Sequence, residues 1–90
     1  MRVVCVFREN SEHGREVQEW VEMFERRTGK EIELVDPDSR DGADFCIAHN
    51  VVEYPTFLAL GDDGRTLDEW RGKMLPRIDE VSYYAKEKMR

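Results

Sequence analysis

The side chains able to do covalent or acid–base chemistry are few and scattered. The chain has two cysteines, Cys5 and Cys46, and two histidines, His13 and His49. In a Cys-x-x-Cys pair one thiolate attacks a disulfide and the second resolves the mixed disulfide. The two cysteines lie 41 positions apart, so neither belongs to such a pair. Cys5 sits in the apolar run Val3-Val4-Cys5-Val6-Phe7. Apolar burial raises a thiol's pKa and leaves it inert, so a packing role is expected; the competing reading is a cryptic thiol exposed by opening of the 9–14 segment. Cys46 lies with Ala43 and Ile47 and is also expected to pack. A Cys5–Cys46 disulfide would need Cα atoms within about 7 Å of each other, and the sequence leaves open whether the two meet across one sheet face. The spacings of these cysteines and histidines match no compact zinc signature, so no metal and no cofactor is expected.

Ser11 could serve as a nucleophile only with a base and an oxyanion hole. His13, two residues on, points elsewhere on a helix. Ser11 or Asn10 is therefore expected to N-cap the helix that follows. Glu9, Glu12 and Glu16 could form a paired acid/base site, but at a helix start they read as solvated carboxylates that favour the dipole. Arg8, Arg15 and Arg71 are candidates for holding an anion at the same helix start.

The elements that must position these groups alternate. Arg2–Arg8 reads as a strand buried on both faces. From Ser11 to about Thr28, Val17, Trp20, Val21 and Phe24 mark one helical stripe, ended by Gly29. Glu31–Val35 reads as a strand, Asp36–Ser39 as a turn and a candidate cap, and Asp41–His49 as a short helix on Ala43, Cys46 and Ile47. Thr56–Leu60 is an apolar strand, Gly61-Asp62-Asp63-Gly64 a hairpin turn, and Arg65–Arg71 the returning strand. After Gly72, Pro76 suits a first helical position, and Ile78, Val81, Ala85 and Met89 mark a last helix. The order β-α-β-α-β-β-α implies one α/β (α+β) domain over 1–90.

Composition bounds the rest. Fourteen Lys+Arg against twenty Asp+Glu leave a net charge of −6 in 90 residues. Such a chain lacks the electrostatic footprint of a nucleic-acid binder. No apolar run approaches the roughly 20 residues of a membrane span, and Met1–Arg8 carries no secretory signature. No membrane or nucleic-acid partner is expected. Two cysteines and no export signal point to a reducing, cytoplasmic compartment.

The segment His49-Asn50-Val51-Val52-Glu53-Tyr54-Pro55-Thr56-Phe57-Leu58 resembles the thioredoxin superfamily, in which a Val/Ile-x-x-Ile/Tyr-Pro-Thr motif carries a cis proline. The strand Ile32–Asp36, the Gly-bearing hairpin and Trp70-Arg71-Gly72 are similar too. The resemblance spans nearly the whole chain in the shorter thioredoxin or glutaredoxin layout. It implies a central four-stranded mixed sheet flanked by three helices.

By the same resemblance, Ser11-Glu12-His13-Gly14 stands where the family carries Cys-x-x-Cys, with Ser11 and Gly14 in place of the two thiols. Cys5 falls beneath that motif. The family's dithiol exchange is therefore not expected. Tyr54 falls where the family presents backbone to an incoming peptide. The implied surface combines Asn10–Gly14, Tyr54-Pro55-Thr56 and Trp70–Lys73, and its implied partner is a protein or extended peptide. Glutathione, which glutaredoxins bind in this region, has little support, because the Gly-Gly-x-x-Asp pattern is absent after the third strand. An oxidoreductase-related protein working through Cys5 or Cys46, and a dimerisation module, are the competing readings.

Overall fold

In the computed structural model the described residues are 1–72 and 74–88, so Lys73 and Met89 of the expected elements lie outside them. Nine elements follow in chain order. They are β1 (Arg2–Val6), α1 (Gly14–Thr28), β2 (Lys30–Glu31), β3 (Glu33–Val35), α2 (Arg40–Ala48), β4 (Thr56–Leu60), β5 (Thr66–Arg71), α3 (Ile78–Ser82) and β6 (Lys86–Glu87).

The apolar runs of β1 and β4 have a direct cause: both are central strands with both faces covered. The main sheet runs β3-β1-β4-β5. β1 is parallel to β3 and antiparallel to β4, and β4 is antiparallel to β5. Alternate residues of β1 and β4 feed two cores. Val3, Cys5, Phe57 and Ala59 pack with Val17, Trp20, Val21 and Phe24 of α1 and Val81 of α3. Val4, Val6, Leu58 and Leu60 pack with Cys46 of α2 and Val51. Two helices thus cover one face and one helix the other. Trp20 locks the larger core. Its ring stacks on Phe24 at 5.3 Å and meets Phe57 edge-on at 4.9 Å, while its Nε1 donates to the Pro76 carbonyl at 3.1 Å.

Four features differ from the sequence reading. First, α1 starts at Gly14, and neither Asn10 nor Ser11 caps it; His13 holds the cap position without a side-chain bond. The Ser11 hydroxyl donates to the Arg8 carbonyl instead, and the Gly14 N–H donates to the Ser11 carbonyl, closing 11–14 as a turn. Second, the expected 31–35 strand breaks at Ile32. Ile32 enters the α1 core while Leu34 is 52% exposed. The preceding pair forms β2, which leaves the sheet to join β6.

Third, α2 is capped from the 36–39 turn as read, Ser39 Oγ accepting from the Gly42 N–H at 3.0 Å, but its apolar stripe differs. Its buried line is Gly42 and Cys46, one turn apart, so Ala43 and Ile47 face outward, Ile47 81% exposed. Fourth, the last helix stops at Ser82 and Pro76 lies before it, with Arg77 as N-cap. Ala85 is reached after the turn at Tyr83–Tyr84, yet it still packs against the α1 core. The hairpin at 61–64 turns with Gly64 at φ 84°, and a register irregularity beside Ala59/Leu60 interrupts the ladder between Thr66 and Asp68. Among the described residues no helix is long and apolar enough to cross a membrane.

Candidate functional site

Strand pairing brings the three candidate segments to one end of the sheet. Val6 at the end of β1 pairs with Thr56 at the start of β4, and Thr56 pairs with Arg71 at the end of β5. The Tyr54–Pro55 peptide bond is cis. The Gly72 N–H donates to the Pro55 carbonyl at 3.0 Å, tying the third segment to the second. Thr56 is buried, and its hydroxyl donates to the Glu53 carbonyl at 2.6 Å. The Arg8 guanidinium lies 4.8 Å over the Tyr54 ring, linking the second segment to the first.

Between α1 and Tyr54 lies a hollow of about 310 Å³, lined by Glu12, His13, Glu16 and Tyr54. Two candidate residues stand apart from it. Asn10 borders a separate hollow with Arg8, Glu9, Asp36 and Asp38. Trp70 packs against the α1 core and meets Tyr84 edge-on at 6.0 Å. Arg8 and Glu16 belong to this end of the molecule without having been placed in the binding surface by sequence. The available signal was position: Arg8 follows β1 directly, and Glu16 stands one turn after Glu12.

Backbone availability marks Tyr54. Among the described residues, its N–H and C=O have no hydrogen-bond partner. Its ring packs against the cluster holding Cys46 and Val51. Burial, and next the neighbouring Cys46, push the Tyr54 hydroxyl above its ordinary value. The loop leading to it is held from behind by Arg71. That guanidinium donates to the carbonyls of Asn50 at 2.9 Å and His49 at 3.3 Å, and to Glu69 at 3.0 Å. The Arg71 hydrogen bond in turn lowers the Glu69 carboxyl.

The three arginines proposed for an anion are committed elsewhere. Arg8 forms a forked pair with Asp38 at 3.0 and 3.2 Å, Arg15 reaches Glu19 at 3.4 Å, and Arg71 is the loop clamp just described.

The start of α1 is shaped by backbone. A Cβ on Gly14 would overlap the Glu9 carbonyl oxygen and come within 2.9 Å of the Arg8 carbonyl oxygen. Only glycine fits while residues 8–9 keep this path. Ser11 is half-buried and spends its hydroxyl on the Arg8 carbonyl. His13 Nε2 is buried without a hydrogen-bond partner.

The cysteines do not meet. Both are free and buried, but Cys5 belongs to the α1 side of the sheet and Cys46 to the α2 side. The shared sheet face left open by the sequence is not what forms. Cys5 is 0% exposed, and burial pushes its thiol up, away from the thiolate. Among the described residues no group of three or more His, Cys, Asp or Glu is placed to hold a metal ion.

No family model and no curated protein matches the sequence. Among solved structures, thioredoxin 1 from the thermophilic eubacterium Thermosipho africanus TCF52B is similar, with a TM-score of 0.67 at 13% identity. The match covers 93% of this chain and 89% of that one. Identity this low speaks for the backbone path and not for shared chemistry. Together with the mixed four-stranded sheet and its three helices, this similarity establishes a thioredoxin-like fold.

Proposed function

We propose that the chain is a redox-inactive thioredoxin-like domain that binds a protein or extended peptide at the Tyr54 end of its sheet. The observation that carries this reading is the unpaired N–H and C=O of Tyr54 beside the hollow under α1. An extended segment would pair with that backbone as an added strand, and its side chains would enter the hollow. Ser11 and Gly14 at the motif positions support the loss of dithiol exchange, since neither forms a disulfide.

The test is selection of displayed 12-residue random peptides on the wild-type domain, repeated on Tyr54→Ala and Tyr54→Pro. The first variant removes the ring, and the second removes the N–H. Enrichment on wild type that is lost on both variants, at unchanged circular dichroism, is expected. No enrichment, or enrichment that both variants keep, refutes the reading.

The competing reading, a monothiol oxidoreductase using Cys5 or Cys46, is opposed by the burial of both thiols on opposite sheet faces. Native thiol labelling is expected to be slow at both and fast only in denaturant. Rapid labelling of either, together with reduction of a protein disulfide, would reverse the choice. Two free cysteines suit a reducing cytoplasmic setting, which belongs to the same proposal.

A further inference from the structure

The β3 edge of the main sheet, one of its two edges, has the makings of a second docking site. β3 pairs only with β1, so its other side is the edge. The Phe7 N–H donates to the Val35 carbonyl at 3.2 Å, which turns Val35 toward β1. In a parallel ladder the bonded residues of one strand alternate, so the N–H and C=O of Leu34 point outward. Edge strands are commonly blunted by Lys, Pro or a bulge. β3 is short and carries Glu33, but it has no Lys, Pro or bulge, Glu33 is paired with Arg2, and its middle residue is a leucine left 52% exposed.

Two hollows flank this edge. One, of about 190 Å³, is lined by Phe7, Glu9, Leu34, Val35 and Asp36. The other, of about 260 Å³, continues past Leu34, Val35 and Asp36 to Asp41 and Phe45. The rim is acidic. Glu33 is neutralised by Arg2 and Asp38 by Arg8, but among the described residues Glu9, Asp36 and Asp41 form no ion pair. Arg40, beside Asp41, lines neither hollow.

We infer that β3 accepts an added strand from a partner, an extended segment that alternates apolar residues with Lys or Arg. The Leu34 backbone pairs with it; because strand side chains alternate between faces, its apolar residues enter the hollow beside Phe7 and Leu34 while its cations, on the other face, meet Asp36 and Asp41. A second copy of this chain fits poorly, because two such edges would bring the same carboxylates together. The inference does not depend on the Tyr54 surface.

The probe is the synthetic peptide acetyl-Lys-Val-Lys-Val-Lys-Val-Lys-amide, titrated into the isotope-labelled chain and followed by amide NMR and hydrogen exchange. The Leu34 amide is expected to shift, and its exchange to slow by about tenfold or more at saturation. Affinity should fall roughly tenfold in Leu34→Pro, which removes the outward N–H at an edge where proline is tolerated. It should also fall in Asp36→Asn/Asp41→Asn and at high salt. An N-methylated peptide, which cannot pair its backbone, checks the same point on the unaltered chain and should not bind. Tyr54→Ala should bind the probe as wild type does, which separates this site from the Tyr54 surface. The inference is overturned if Leu34 does not respond, if a Glu-Val peptide binds equally, if the shifts centre on Tyr54, or if the chain dimerises through β3 without peptide.

Discussion

Gly14 opens α1 where the chain passes close to the backbone of residues 8–9. By resemblance alone, Gly14 stands where the thioredoxin superfamily carries the second thiol of its motif, and that correspondence belongs to the proposal. What could not be read is that the backbone of residues 8–9 passes so close that a Cβ has no room. The clash is between segments whose approach depends on the whole turn, so residue types alone do not disclose it. Restoring the thiols is therefore expected to fail. Ser11→Cys/Gly14→Cys should not reduce insulin with dithiothreitol above the uncatalysed rate, and Gly14→Ala should cost about 1–3 kcal/mol in urea unfolding through overpacking. Recovery of disulfide reductase activity with full stability would show that the turn yields freely. Cys5 was legible as a packing residue because it sits in an unbroken apolar run. Its separation from Cys46 was not, because the face a helix covers is set by topology.

The elements were legible where one face is buried and obscure where two choices compete. The α1 stripe at Val17, Trp20, Val21 and Phe24 appears as read, since a 15-residue amphipathic helix has one way to bury it. The α2 stripe was misread by one residue. Cys46 packs inward as read, but Gly42, whose missing side chain lets the helix approach the Asp36 carbonyl, joins it in place of Ala43 and Ile47. The first turn of α1 was also misjudged: Ser11 is a preferred cap by type, but a local bond to Arg8 uses its hydroxyl. Arg71 shows a contribution from sequence-distant carbonyls, since it ties the end of β5 to the loop after α2. Its bond to Glu69 gives a pH signature. Glu69 has a lowered folded-state pKa, so its contribution is present above the unfolded value of about 4.3 and is lost as pH falls through the folded value. In Arg71→Ala the deficit in Tm should be full near neutrality and narrow on acidification below about pH 4, leaving the share due to the two carbonyl bonds. A deficit independent of pH would remove the Glu69 pair as a contributor.

Across the whole molecule, stability rests on two thin cores either side of β1 and β4, and the larger converges on Phe24. That ring is 0% exposed and stacks on Trp20. Phe24→Ala should cost roughly 3–5 kcal/mol, a large share of what a small domain has. Chemical denaturation measures it directly, and a loss below about 1 kcal/mol would mean the core can close over the gap. The sequence by itself determined the order of the main elements, the burial of β1 and β4, the hairpin and the absence of a Cys-x-x-Cys pair. Each of these follows from apolar periodicity, turn residues or a residue count, which are local properties. Only the tertiary structure decided that the C-terminal segment returns as β6 on β2, that the cysteines face apart, that Gly14 is fixed by backbone contact and that β3 is left as an open edge. Those outcomes depend on which distant segments meet, and the meeting is settled by packing the whole chain at once.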